Sequence, residues 1–469
     1  MSESDAVPAG ARPRRERHHP EPARECPRLR GWPLLGAIPR IRREGMLPVL
    51  DSQWKQHGDV FRLRLGPQPA VVIAHPDAFE RVLAGHKRNY DKGSAYDPAR
   101  LFLGDSLVTL EGGHWRSRRR LMQPYFHRAA LQTMVDTMAA VVERYLDDMQ
   151  RRFPEGGRVD IHHELVGLTL EVVCTALFGP GVTGSDEIPY AILGDAVAVM
   201  NDKMGDPTPL WVPLPVNRRF RRVRQGVDEM VHRLIARARA SKDDPEIRST
   251  LLGMLLATVD AQGRPLSDQA IRDEVITLYV AGHETTALTM TWMFALMQGR
   301  EDVNTRLRDE ADAVLGDSRP GFAELPALGY TLRVLEETLR MRSPTAFVVR
   351  NALGDDNLCG ARIHAGDLVM LFFWGLHHHP DYWPDPEHFD PERFTPEAKA
   401  ERDTWSYLPF SGGPRVCIGN SFALYEGQLI ASMMFRRATW EIESTDDIRP
   451  LAEGTLRPSR PIHVRFRWR

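Results

Sequence analysis

Residues 410–419 read FSGGPRVCIG, and this stretch decides how the rest of the chain is read. It sets Cys417 between Gly413 and Gly419, with Arg415 two residues before it and a helical pattern after it. A lone cysteine is more often a buried, inert thiol, because free Cys is among the most buried residue types. These surroundings favour a working one. Glycine lets backbone approach where a Cβ would collide, and amides at the start of a following helix stabilise a thiolate. An arginine offers an anionic group paired, charge-assisted hydrogen bonds. The other cysteines are Cys26, Cys174 and Cys359. Four in so long a chain form no disulfide framework, which suits a reducing compartment.

Composition excludes several classes. The 61 basic side chains balance 63 acidic ones across 469 residues, so the whole protein is not built to bind nucleic acid. A hydrophobic content of 42% and a charged content of 26% are those of an ordinary globular protein. The densest apolar stretch, Leu251 to Val259, is too short to span a bilayer. The N-terminus, MSESDAVPAGARPRRERHHPEPARE, has no apolar segment and reads as neither signal peptide nor membrane anchor. Residues 1–25 are expected to form a disordered tail. Residues 26–469 are expected to form one domain of a cytoplasmic, monomeric protein.

Upstream of the cysteine loop, Phe61, Leu63 and Leu65 alternate with Arg62 and Arg64, the period of a half-buried strand. The Gly66-Pro67 turn and Ala70 to Ala74 complete an expected hairpin. His75-Pro76-Asp77 reads as a helix start with Asp77 as N-cap. Helical periodicity dominates from about residue 114 to 340. Its longest candidate, Ser267 to about Gln298, carries few charges after Glu274 and should be a buried central helix. Beyond Arg342 short strands are expected, such as Asp367 to Phe373, then a helix after Cys417 and strands over the last thirty residues. The chain is therefore mainly α with a small β lobe.

Four further motifs lie in a fixed order before or around the cysteine loop. GGHWRSRRRLMQPYF holds Trp115 and Arg119; AGHETT spans Ala281 to Thr286; EETLRMRSP holds Glu337 and Arg340 at i, i+3 on one helix face. PERF, with Arg393, follows some fifty residues later. Taken with Phe410, Gly413, Arg415, Cys417 and Gly419, the chain resembles the cytochromes P450. Five positions match the family's cysteine signature, which chance yields on the order of once in 10,000 chains of this length. Ala423 and Glu426 also fit.

That resemblance implies the triangular, helix-rich P450 fold and haem b, with Cys417 as the axial ligand to iron. It implies that Phe410, Gly413 and Gly419 cradle the porphyrin. Trp115, Arg119, Arg415 and Arg350 would contact its propionates. Ala281 and Gly282 would leave room for dioxygen, and Glu284 with Thr285 would relay protons beside a bulged helix. Glu337, Arg340 and Arg393 would form a buried structural network. His377, in a contiguous run with His378 and His379, matches the family's turn histidine; three adjacent histidines do not converge on one metal. Phe347, Val348 and Leu101, with the loop to Leu107, would line an apolar substrate pocket.

The implied activity is insertion of one oxygen atom from O2 into an apolar small molecule, by hydroxylation or epoxidation. A terpenoid, polyketide or fatty acid is the expected class. Electrons would come from NAD(P)H through a separate ferredoxin and its reductase, docked on Arg116, Arg118 and Arg120. Arg218 to Arg224 reads instead as a solvated helix face. Two rivals differ in chemistry: a haem-thiolate enzyme using peroxide, oxidative coupling or rearrangement, and a non-catalytic haem sensor. The intact Glu284–Thr285 pair argues against the first, and the want of an output domain against the second.

Overall fold

Burial is concentrated on the helix Asp268–Leu296, which runs through the centre of the molecule. The computed structural model describes residues 26–469 except 30, 180–195, 197, 201, 204, 205, 207, 242, 260–262 and 317; the expected tail over 1–25 lies outside the described residues. Ser267 caps the central helix, its hydroxyl accepting from the Ala270 amide at 3.2 Å. Its threonines are satisfied within the helix. Thr285, Thr289 and Thr291 donate to the carbonyls of Ala281, Thr285 and Ala287 at 2.8, 2.9 and 2.6 Å.

Helices Ile161–Phe178, Pro215–Ala240, Gly329–Met341 and Asn420–Arg437 pack around this axis. Gly282 brings the first of them close: a Cβ there would lie 3.0 Å from Val173. At the far end Phe294 stacks on Phe435, ring centroids 5.6 Å apart. Ile161–Phe178 is long and apolar enough to cross a membrane, yet 72% of it is buried inside the molecule. The sequence search for apolar runs missed this helix; its apolar surface goes into the core.

The β lobe is a five-stranded sheet ordered Val60–Leu65, Gln68–Ile73, Leu368–Leu371, Val348–Ala352, Tyr90–Asp91. The first two form the expected hairpin, Val60 opposite Ile73 and Leu65 opposite Gln68. Asp367 to Phe373 was expected as one strand; it is shortened because Asp367 turns inward to pair with Arg62 at 2.9 Å and Phe373 starts a helix. Arg62 is consequently buried, not outward as strict alternation predicted. The N-cap before Pro76 is His75, not Asp77: the imidazole Nδ1 accepts from the Asp77 amide at 3.2 Å. A smaller sheet, Gly157–Asp160, His463–Trp468 and Ala438–Ile442, closes the C-terminus.

Candidate active site

The cysteine loop is held by backbone strain and close approach. Ser411 and Gly413 have φ of 62° and 66°, the left-handed region that glycine enters at no steric cost. A Cβ on Gly413 would stand 2.2 Å from the Leu83 carbonyl oxygen, so protein backbone requires this glycine. Gly419 differs: the nearest atom to a Cβ there is 3.9 Å away, on the Phe126 ring, and the residue borders an internal cavity.

That cavity, about 300 Å³, has Cys417 and Phe410 on one wall and Ala281, Gly282 and Thr285 of the central helix on another. Val348 and Phe373 add apolar surface from the β lobe. Cys417 is accessible, but only to the cavity it borders, because protein surrounds it. Burial pushes its thiol up, opposed by the Gly419 amide and the Arg119 guanidinium. Arg119 braces the loop directly, Nη1 donating to the Val416 carbonyl at 2.9 Å and Nε to Gln123 at 2.6 Å.

Cations gather beside the loop. Arg415 stacks over Trp115 at 4.4 Å, donates to the Leu110 carbonyl at 3.1 Å and pairs with Glu111. Arg100 donates to the preceding carbonyl, Thr109, at 2.7 Å, and Lys92 to Val108 before that. Arg350 is buried in the adjoining strand, its Nη1 donating to Val349 at 2.7 Å. Burial, then Arg415 and Arg350, push the Lys92 ammonium down to about 7. Lys92 escaped the sequence reading, because only the pairing of Asp91 with Asn351 sets it beside Arg350.

Glu337 and Arg340 are both fully buried and paired twice, Nε to Oε2 at 2.7 Å and Nη2 to Oε1 at 2.8 Å. The Asp390 amide also donates to Glu337, at 2.9 Å. Arg393 approaches Glu337 at 3.5 Å, and its Nη2 donates to the Asp385 carbonyl at 2.8 Å. The three histidines point apart: His377 Nε2 accepts from the Leu408 amide, His378 Nδ1 meets the Trp374 carbonyl, and His379 Nε2 meets Asp59, each at 2.9 Å. Burial, with Arg340 and Arg402, pushes His377 down to about 3, so it is neutral. Glu426, on the helix after the cysteine, is fully buried and pushed up to about 8 by that burial, against a weaker pull from Thr286.

Several expectations are corrected. Leu101 is exposed and does not border the cavity. The loop after it is drawn to the central helix instead, the Asp105 amide donating to Asp273 at 2.8 Å and the Leu107 amide to Glu274 at 3.2 Å. Phe347 packs into the β lobe away from the cavity, because neighbours on an extended strand face opposite sides. Arg118 does not share the outward face of Arg116 and Arg120. It turns in to Glu274 at 3.1 Å and to the Ala270 carbonyl at 3.2 Å. The central helix runs without interruption through Thr285, not bulged as expected. Finally, Glu284 does not border the cavity: its carboxylate pairs with Arg457 at 2.7 Å.

A cysteine presented to an internal cavity beneath a buried helix is the layout of a haem-thiolate enzyme, and comparison with known proteins agrees. The family model described as cytochrome P450 matches residues 27–466, and the chain belongs to that family. It is 34% identical to cyclooctatin synthase of Streptomyces melanosporofaciens over 411 residues, covering 86% of this chain and 85% of that protein. Pentalenene oxygenase of Streptomyces avermitilis is 32% identical over 440 residues, 90% of this chain and 96% of that one. The structure of retinoic acid-bound cyanobacterial CYP120A1 superposes with a TM-score of 0.85 at 25% identity, covering 95% of this chain and 100% of that chain. The protein is thus an oxidoreductase of the P450 monooxygenase type, a family that binds haem.

The residues present fit that group. Arg415 Nη1 is buried with no hydrogen-bond partner among the described residues. Its cationic neighbours outnumber the nearby carboxylate of Glu111, which suits a ligand bearing carboxylates. The cavity space that a Cβ on Gly419 would fill lies next to the sulfur.

Proposed function

We propose that this protein inserts one oxygen atom from O2 into an apolar terpenoid, by the net reaction RH + O2 + 2e⁻ + 2H⁺ → ROH + H2O. The observation that carries this reading is the apolar cavity with Cys417 on one wall and Thr285 on another. The terpenoid class is supported by relatives named for pentalenene and cyclooctat-9-en-7-ol. Haem b, when bound, supplies the iron at which dioxygen is reduced.

In this reading Cys417 is the iron's protein ligand, with Phe410, Gly413 and Gly419 shaping the space beside it. Arg415, Arg350, Lys92 and Trp115 hold the carboxylates, while Arg119 steadies the loop and lowers the cost of negative charge on sulfur. Ala281 and Val348 keep water scarce around the substrate. The Thr285 hydroxyl fixes where a proton is presented, and Glu284 supplies it. Residues 26–469 act as one domain in the cytoplasm, and the family match over 27–466 supports that extent.

Thr285→Ala tests the proton role. The variant is expected to bind haem and substrate normally and to consume reductant at an undiminished rate. Product per electron should fall on the order of 10²-fold while hydrogen peroxide rises, the scale of a lost positioned proton donor. Equal product per electron in both proteins would show that another group carries the proton. A peroxide-driven enzyme or a sensor would show no such diversion.

The electron donor is proposed to be an acidic ferredoxin, served by a reductase using NAD(P)H. Arg116 and Arg120 remain exposed on the helix Gly112–Met122, whose inner side carries Arg119 to the cysteine loop. Arg116→Glu with Arg120→Glu should slow reduction by ferredoxin about tenfold at low salt and flatten its salt dependence, leaving substrate affinity unchanged. Identical rates across a salt series would remove this face as the docking site.

A further inference from the structure

Glu284 and Thr285 are adjacent in sequence but face different environments. The Thr285 hydroxyl is at the cavity wall, donating to the Ala281 carbonyl at 2.8 Å. The Glu284 carboxylate is turned to the hairpin formed by Pro450–Glu453 and Thr455–Pro458. There Arg457 Nη2 lies 2.7 Å from Oε1, and the Thr455 hydroxyl donates to the same oxygen at 3.4 Å. The side chain of Glu284 is 7% exposed and that of Arg457 29%, so the arginine stands between the acid and bulk water.

The hairpin is anchored on the same helix. Leu456, between the two residues that hold Glu284, is fully buried; its amide donates to the Pro344 carbonyl, and its carbonyl accepts from Trp292 Nε1, both at 2.8 Å. Position 457 is therefore fixed relative to Glu284, while the end of its side chain is free to swing. No other cation competes for the role. His162 and His283 lie close enough to feel the Glu284 charge, but burial holds both imidazoles below their ordinary range and keeps them neutral. Each is also engaged elsewhere, His162 Nδ1 with Thr291 at 3.1 Å and His283 Nδ1 with the Tyr279 carbonyl at 2.6 Å.

We infer that Arg457 is a positioning residue for proton supply: it holds Glu284 on the solvent side of the central helix, and opening of this ion pair admits protons toward Thr285. The inference rests on the proton-delivery reading proposed above. A carboxylate so nearly buried does not leave its only cation without cost, so the opening is slow and isotope-insensitive, and it masks the proton transfer that follows. Arg457 makes no contact with the reacting atoms and acts only through Glu284.

The test compares wild type, Arg457→Gln, Arg457→Lys and Glu284→Gln as holoenzymes, measuring product, peroxide and turnover in H2O and D2O with the melting temperature as a folding control. In Arg457→Gln the solvent isotope effect on kcat should rise, on the order of twofold, because proton transfer is no longer masked. KM should not change, and Arg457→Lys, which keeps the charge, should restore the wild-type isotope effect. A purely structural Arg457 would move the melting temperature and leave the isotope effect alone. An unchanged or smaller isotope effect in Arg457→Gln, alongside a loss of product in Glu284→Gln, overturns the gate and leaves the proton role of Glu284 standing. Wild-type product and isotope effect in Glu284→Gln would instead overturn the reading beneath it.

Discussion

Glu337→Ala should yield protein that is insoluble or lacks haem, with stability lower by about 3–5 kcal/mol. The carboxylate it removes is completely buried and accepts from Arg340 twice and from the Asp390 amide once. Without it the equally buried Arg340 guanidinium keeps only carbonyl partners, His377 at 2.9 Å and His388 at 3.4 Å, which do not balance its charge. The Asp390 amide loses its acceptor in the same step. A domain is stable by about 5–15 kcal/mol, so this single loss removes a large share. The damage would spread to the cysteine loop, because His377, whose carbonyl Arg340 holds, accepts from the Leu408 amide just ahead of that loop. Urea titration and haem content of purified protein measure the effect. A soluble Glu337→Ala carrying a full haem complement and unfolding at the wild-type midpoint would contradict the buried-network account.

What could be read in the sequence was whatever a short stretch specifies by itself. The hairpin over Val60–Leu65 and Gln68–Ile73 has its own alternation and turn, and the central helix has its cap at Ser267 and its long apolar run. The cysteine loop and the Glu337–Arg340 pair have fixed local spacing, so motif and geometry coincide.

The rest depends on contacts between distant segments. Arg118 and Arg120 look alike in sequence, yet a buried acid 156 positions beyond Arg118 draws it inward. Phe347 and Val348 differ by one residue, which on a strand means opposite faces, and sequence alone did not say which faced the cavity. Lys92 joins the cationic cluster only because Tyr90–Asp91 pairs with a strand more than 250 residues later. The Glu284–Arg457 pair crosses 173 positions and involves no motif. A family resemblance supplied the expected partner of Thr285 but not the direction in which that partner points.

Cys417→Ser should abolish thiolate ligation of the iron, the second large effect expected. No other cysteine is placed to substitute. Cys174 is buried within the helix Ile161–Phe178, and Cys26 packs in the β lobe. Cys359 sits at φ 51° in the turn between strands Asp356–Leu358 and Ala361–Ile363, and it does not border the cavity. Only Cys417 has a cavity in front of its sulfur, and only Cys417 has the Gly419 amide and the Arg119 guanidinium favouring its thiolate. A serine there keeps the shape of the loop but supplies a far less acidic and less electron-releasing donor. The fold should therefore persist, with haem bound weakly and without the electronic push that splits dioxygen. The direct measurement is the absorbance spectrum of the reduced, carbon monoxide-bound protein. Wild type should show the red-shifted Soret band of thiolate ligation and Cys417→Ser should lose it; a Cys417→Ser protein that kept the band, with Cys359→Ser losing it, would contradict the account.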